Sequence, residues 1–424
     1  YDATPQVLQL YQQHQLSAHH PVIHTLMLDG LLGLGHLIGN DYNTGLLIYI
    51  IAQMLMCAFS FGYVLYKLLK LGHSKILVFV GLIFISFNPI IQIWVVTTTK
   101  DVPFSAFFVL FIFMTYELLL DHNTFYANKY KMSWFIIVGI LVCLFRNQGI
   151  YVIILNAIFI IIYLKKARMK TLIIFLSIII PSWLFLGPLE GVLGIQPGDA
   201  RAMYSVPMQQ IERVYNYNPS SINPSQKKVI ESVIPEEYLR QYIPIVSDPV
   251  KSGFSTATFD KEKNKFLKVW LELGLKNKKQ YTISFLWGSF GYFYTDYTPF
   301  WIHYIMYDGA HISGSESYLN ILHIRRDSKF HWYDTYLRGV SEKLTTNSIP
   351  ILSTLLNEAA PFWIFIICSA ISIYKKRYPV FLASFYVFIF WGTNLLGPVI
   401  SVRYAFPLIV TIPFMLVTIS NKKT

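Results

Sequence analysis

Ser17-Ala18-His19-His20-Pro21-Val22-Ile23-His24, close to the start of the chain, is the stretch on which the reading of the fold turns. Ahead of it lie Asp2 and a polar segment carrying Gln6, Gln9, Gln12, Gln13 and Gln15. Asp2 and the His-His-Pro triplet are too polar for lipid. Val7, Leu8, Leu10 and Tyr11 recur at roughly helical spacing. That spacing predicts an amphipathic helix on a membrane surface, followed at His20-Pro21 by a second one. Residues 1–44 therefore read as a shelf at the membrane face and not as a span.

Outward from the shelf, composition excludes an ordinary soluble domain. Of 424 residues, 54% are hydrophobic and only 14% charged, with a mean hydropathy of +0.45. The expectation is a mainly α, polytopic membrane protein. Apolar runs long enough to cross roughly 30 Å of hydrocarbon fall at 45–66, 76–96, 103–120, 132–149, 150–164, 171–187, 350–374, 379–397 and 404–419. These make about nine spans. The first residue is Tyr and not Met, so one further helix upstream is expected.

Basic residues gather in alternate loops: Lys67, Lys70 and Lys75; Lys129 and Lys131; Lys165, Lys166, Arg168 and Lys170; Lys375, Lys376 and Arg377; Lys422 and Lys423. The positive-inside rule makes those loops cytoplasmic. The opposite loops, among them 97–102, 146–149 and 398–403, then face outward with the shelf. The expected organisation is a first external loop at 1–44, a transmembrane module at 45–187, a small external domain at 188–349 and C-terminal transmembrane helices at 350–424.

The order of Asp2-Ala3, a short helix and then His19-His20-Pro21-Val22-Ile23-His24-Thr25-Leu26 resembles the first external loop of the polytopic GT-C glycosyltransferases. The likeness is greatest to enzymes such as the protein O-mannosyltransferases and the lipid A aminoarabinose transferases. It covers about a tenth of the chain. Many of those enzymes carry two adjacent acids where this chain has Asp2 followed by Ala3. The resemblance implies a catalytic role for Asp2, a part for His20-Pro21 in shaping the donor site, and basic residues near Lys100 that hold a lipid-linked phosphate. It further implies single displacement with inversion at the anomeric carbon.

A formal net charge of +12 does not argue for nucleic acid, because the cytoplasmic loops account for much of it. Cys57, Cys143 and Cys368 all fall inside expected spans, so neither a disulfide framework nor a thiolate metal site is supported. The long insert cannot be an unstructured loop. Within it Phe266, Val269, Trp270 and Leu273 mark one face of an amphipathic helix. A dense aromatic stretch follows: Phe285, Trp287, Phe290, Tyr292, Phe293, Tyr294, Tyr297, Phe300, Trp301 and Tyr304. It reads as an interfacial belt or a domain core ahead of direct sugar stacking.

Ionisable residues at membrane depth are the remaining signal, since each is costly unless paired or open to water. Lys100, Asp101, Arg146 and Arg403 qualify. Asp101 precedes Pro103 at a helix start and suits a cap as well as a site. Lys100 at an outer helix end runs against the positive-inside pattern. Arg146 and Arg403 each fit snorkelling to headgroups, and each also fits bidentate binding of phosphate oxygens. His20 and His24, four apart with His19 adjacent, match zinc spacing on one helix face. No HExxH glutamate accompanies them, and no third ligand is placed by sequence.

Together these residues read as a membrane glycosyltransferase. It would take a sugar from a polyprenyl-phosphate donor and pass it to a cell-envelope glycan, lipid or protein on the outer face of the cell membrane. Asp2 would accept the acceptor hydroxyl's proton. Lys100, Arg146 and Arg403 would stabilise the departing phosphate, with His19, His20 and Asp101 shaping the site. No cofactor is required on this reading, a divalent metal being the alternative, and nucleic acid is not an expected partner. A transporter or flippase of a lipid-linked saccharide is the other reading; it would use the same cations without chemistry.

Overall fold

Helices account for the regular structure because apolar runs this long satisfy their backbone only within themselves. In a computed structural model of the chain, residues 3–11, 15–296, 321–324, 329–345, 348 and 352–420 are described. Asp2 and the aromatic residues Tyr297, Phe300, Trp301 and Tyr304 lie outside them. Helices α1 (Ala3–Tyr11), α2 (Val22–Gly39), α3 (Tyr42–Lys70), α4 (Lys75–Phe87) and α5 (Pro89–Val95) come first. Then come α6 (Asp101–Leu120), α7 (His122–Ala127), α8 (Lys129–Phe145), α9 (Gln148–Tyr163) and α10 (Arg168–Leu184). The middle of the chain forms α11 (Ser205–Tyr217), α12 (Pro224–Val233), α13 (Thr256–Lys276) and α14 (Lys278–Ser289). The rest gives α15 (His331–Thr345), α16 (Ala360–Tyr374), α17 (Tyr378–Asn394), α18 (Val402–Ile409) and α19 (Ile412–Thr418). Among the described residues there are isolated bridges but no strands.

The chain divides into two units. One comprises Tyr1–Gly198, Thr298–Trp391 and Val402–Thr424, and the other Asp199–Tyr297 with Gly392–Ser401. The second unit does not coincide with the 188–349 insert: α15 belongs to the first unit, and a segment from 392–401 joins the second.

In the first unit α6 is the central helix. It is apolar all round and almost wholly buried, as a helix without a polar stripe must be. Phe104 and Phe108 stack on Phe390, and Phe111 on Phe135. Contacts at the helix ends fall into two groups. At one end Lys67 of α3 and Lys131 of α8 pair with Glu117 of α6 at 3.4 and 3.0 Å. There Arg377 Nη1 also donates to the carbonyls of Ile419 and Ser420 at 2.7 Å. At the other end Gln53 Nε2 of α3 donates to the carbonyls of Val95 and Thr97 at 2.8 and 3.0 Å, beside the start of α6. The path along α6 from Asp101 to Glu117 is about 24 Å at 1.5 Å per residue.

Among the described residues, four helices are long and apolar enough to cross a membrane: Val22–Gly39, Tyr42–Lys70, Asp101–Leu120 and Lys165–Val192. A fifth is added if α4 and α5 count as one span bent by 54°. This is fewer than the nine runs read from the sequence. The difference is length, since Gln148–Tyr163, Ala360–Tyr374 and Val402–Thr418 are apolar but short. The expected 76–96 run breaks because Asn88 Oδ1 accepts from the Ile90 amide at 2.9 Å and Pro89 opens a new helix.

α2 departs from the expectation of a polar shelf that does not span, for by length and composition it qualifies as a span. It folds back on the first part of α3 through a turn at Asn40, which is left-handed with φ 49°, and Asp41, which caps α3. A Cβ on Gly35 would strike the Gly45 backbone, and one on Gly45 would lie 2.5 Å from the Leu32 carbonyl oxygen. The hairpin closes only because both residues are glycine. α2 therefore runs beside the stretch of α3 that precedes Gln53.

The second unit has its own core, including Met208, Ile211, Val214, Ile230, Phe259, Phe266 and Leu273. The expected amphipathic helix is α13, with Phe266, Val269 and Leu273 buried. Trp270 Nε1 donates to Gln210 Oε1 at 2.8 Å. None of its described helices is long and apolar enough to cross a membrane.

Candidate functional site

Asp101 is the first residue of α6, is fully buried, and makes no cap for that helix. Of the two roles the sequence left open for Asp101, the cap is absent, and its carboxylate pairs over long range instead. Oδ1 accepts from Arg146 Nη1 at 2.6 Å, and Oδ2 accepts from Thr99 Oγ1 at 3.0 Å, with Arg403 Nε 3.3 Å away. Arg146 comes from the end of α8, where its Nε donates to Gln148 Oε1 at 2.7 Å. Its guanidinium lies over the rings of Phe390 and Tyr404, at 4.9 and 5.3 Å from their centroids. Arg403 is the second residue of α18, and its Nη2 donates to the Tyr404 hydroxyl at 3.1 Å. The side chains of Arg146 and Arg403 are only 6% and 10% exposed. Snorkelling to headgroups does not describe them.

Lys100 immediately precedes Asp101, and its Nζ lies 3.2 Å from His20 Nδ1. An ammonium only donates, so Nδ1 accepts and a neutral ring carries its proton on Nε2. His19 packs edge-on against His20 at 4.8 Å between ring centroids. The structure therefore brings Lys100, Arg146, Arg403, His19, His20 and Asp101 to one end of the helices of the first unit. Two arginines share one buried carboxylate, and Lys100, next to it in sequence, pairs with His20.

The zinc reading of His20 and His24 fails on geometry. α2 begins at Val22, so the two residues do not share a helix face. His24 is fully buried in a polar chain. Tyr49 gives its hydroxyl proton to Gln53 Oε1 at 2.8 Å. His24 Nε2 then donates to Tyr49 at 2.9 Å, and Nδ1 accepts from Gln6 Nε2 at 3.0 Å. Gln53 completes the chain onto the Val95 and Thr97 carbonyls. This relay ties α1, α2 and α3 to the segment that carries Lys100 and Asp101. No group of three or more His, Cys, Asp or Glu side chains placed to hold a metal exists among the described residues.

Several buried acids escaped the sequence reading, Glu212 of α11 among them. Asp29 in α2 and Glu358 before α16 are buried, and neither carboxylate has a hydrogen-bond partner. The signal for Asp29 was present, as an acid in the apolar run Leu26-Met27-Leu28-Asp29. Glu358 sits in a less apolar stretch, Asn357-Glu358-Ala359-Ala360, which gives no such warning.

A family model described as "Family of unknown function (DUF6020)" matches residues 11–424. No curated protein and no solved structure matches the chain.

Proposed function

We propose, for a chain that belongs to DUF6020, a family of unknown function, that it is a GT-C-like membrane glycosyltransferase using a polyprenyl-phosphate sugar. The observation that carries this reading is that Arg146 and Arg403 share the buried Asp101 carboxylate, with Lys100 beside His20 at the same end of an apolar helical unit. A lipid-linked phosphate brings an anion to the depth of such a cluster, and charge grows on its bridging oxygen as the sugar leaves. Arg146 and Arg403 are held by Asp101 and by aromatic rings, so they are preorganised donors. Lys100, beside His20, adds a third cationic side chain at the same end.

In the proposed step the acceptor hydroxyl oxygen attacks the anomeric carbon and the bond from that carbon to the phosphate oxygen breaks. Asp2 takes the hydroxyl proton. The cluster end of the unit faces outward on this account, and the end bearing Lys67, Lys131 and Arg377 faces the cytoplasm, in keeping with the positive-inside rule. About nine spans are retained if α3, α6, α10, the bent α4–α5 pair, α8, α9, α16, α17 and the α18–α19 segment each cross the membrane. α2 is long and apolar enough to span, yet on this account it lies at the outer face with the shelf, because it pairs with α3 ahead of Gln53, which bonds the segment at the start of α6. The acceptor is a glycan, lipid or protein of the cell envelope.

One observation favours the transporter reading: α4 and α5 form a broken pair bent by 54°, and broken helices recur in transporters. Proteoliposomes loaded with radiolabelled polyprenyl-phosphate sugar separate the two. Label leaving the carrier for an acceptor, with polyprenyl phosphate formed, supports transfer. Label crossing the bilayer while still on the carrier supports transport. Label that does neither overturns both.

A further inference from the structure

Beyond Leu184 the helix begun by α10 runs on through a π-helical turn at Phe185–Leu189, which holds Pro188, and ends at Val192. Gly194, with φ 69°, stops it in the left-handed region that favours glycine. The Ile195 amide donates to the Glu190 carbonyl at 2.9 Å and the Gly194 amide to the Gly191 carbonyl at 3.2 Å, a Schellman end that turns the chain back. Residues 195–198 then run beside residues 16–18, all within the first unit. The Gln196 amide donates to the Leu16 carbonyl at 2.9 Å, and the Gln196 carbonyl accepts from the Ala18 amide at 2.8 Å. Ser17 and Gln196 form a parallel bridge. α1 holds the same stretch through Gln9 Oε1, which accepts from the Ser17 amide at 3.0 Å.

Gly198 completes this clamp by close approach. A Cβ there would lie 2.9 Å from the Ala18 carbonyl oxygen and 3.1 Å from His19 Cα, and backbone atoms do not swing aside as the tip of a side chain does. The residue after His19 is His20, whose Nδ1 lies 3.2 Å from Lys100 Nζ, at the long edge of the range of about 2.7–3.2 Å for such bonds. Groups at a binding site work when held within about 0.5 Å of their places. A shift of a few tenths of an ångström in the Ala18–His19 backbone is enough to part His20 from Lys100.

We propose that Gln196 and Gly198 are positioning residues, which act through the His19–His20 turn to fix the ammonium of Lys100. Gln196 does so with its backbone and Gly198 by having no side chain. The effect on phosphate binding rests on the transferase reading, whereas the seating of His20 on Lys100 does not.

The test is nitrogen NMR of the full chain in nanodiscs with its histidines labelled, the His20 signal being the one lost in His20→Gln. Lys100→Met removes the bond to Nδ1 and moves that signal. Gly198→Ala moves it too, while Gln196→Ala, which keeps the backbone, leaves it in place. Polyprenyl monophosphate binds Gly198→Ala about 3- to 10-fold more weakly than the wild type, as a weakened charge-assisted hydrogen bond requires, and Gly198→Ala adds no loss to Lys100→Met. A His20 signal unmoved in folded Gly198→Ala overturns the proposal. So does a loss of affinity from Gly198→Ala that persists in full beside Lys100→Met. Should Gly198→Ala not fold, Ser17→Cys with Gln196→Cys carries the test, the native cysteines being buried. Oxidation joins this pair and leaves the His20 signal in place if the clamp is as described, and a pair that does not cross-link overturns it. A wild type that binds no polyprenyl monophosphate while His20 responds as stated removes the transferase reading and upholds the positioning.

Discussion

Asp101→Asn separates a buried ionic cluster from a surface one. The substitution keeps the size of the side chain but removes its charge, and an amide NH2 then faces at least one of the donors that Asp101 accepts from Arg146, Arg403 and Thr99. At an effective dielectric constant of 20, a pair about 4 Å apart attracts by about 4 kcal/mol. Two such attractions vanish, offset in part because a buried carboxylate no longer has to be desolvated. Removing one partner of a buried pair costs about 3–5 kcal/mol, so the net loss belongs in that range. Arg403→Gln costs less, because Asp101 keeps Arg146 at 2.6 Å and Thr99 at 3.0 Å. The double variant is more stable than the sum of the two single losses predicts, since it removes one of the two uncompensated cations. Thermal melting in detergent reads the order: Asp101→Asn falls by about 5 °C or more, Arg403→Gln by less, and the pair shows positive coupling. Asp101→Asn melting with the wild type, or Arg403→Gln costing more than Asp101→Asn, refutes the arrangement of one acid between two arginines.

Lys100→Met weakens binding of polyprenyl monophosphate in nanodiscs by roughly 10-fold or more, because a charge-assisted hydrogen bond contributes about 1.5–3 kcal/mol; unchanged affinity removes Lys100 from the phosphate site. Arg403→Lys retains only part of the affinity, since lysine lacks the bidentate fork, and full retention shows that point charge suffices. Glu212 has its folded pKa raised from 4.5 to about 9 by burial, so its contribution to stability is complete below about pH 4.5 and is lost as pH rises through about 9. The wild type therefore loses melting temperature between pH 5 and 8.5 by a margin that Glu212→Gln abolishes; parallel curves for the two proteins contradict it. Single cysteines in the 165–170 loop resist a membrane-impermeant thiol reagent in intact cells while one at Ser220 reacts, and labelling of both overturns the proposed orientation.

Helix positions were legible where an apolar run is bounded by charge, as for 103–120 and α6. They were less so where one local signal competes with another. The run 76–96 reads as a single span on hydropathy, yet Asn88-Pro89 inside it is a stop and a restart. Asp101 shows two readings that local sequence could not separate. An acid two residues before Pro103 carries the local signature of a cap, and its real partners, Arg146 and Arg403, are brought to it only by the packing of α6 against α8 and α18. The four ionisable residues at membrane depth were visible as exceptions to the apolar pattern, whereas which of them neutralises which was not. Glycines such as Gly35 and Gly45 are silent in hydropathy although they decide how closely α2 approaches α3. The burial of Gln209, Glu212 and Ser284 in α11 and α14 left no trace in the sequence, because polar residues on helices read as solvent-facing until tertiary packing covers them.

The central claim is tested most directly by single-turnover release of polyprenyl phosphate from a radiolabelled polyprenyl-phosphate sugar by the purified protein with cell-envelope extract as acceptor. The account predicts release by the wild type and a rate lowered by about 100-fold or more in Asp2→Asn, which keeps the size of the side chain but takes no proton. Release no faster than in protein-free liposomes contradicts it.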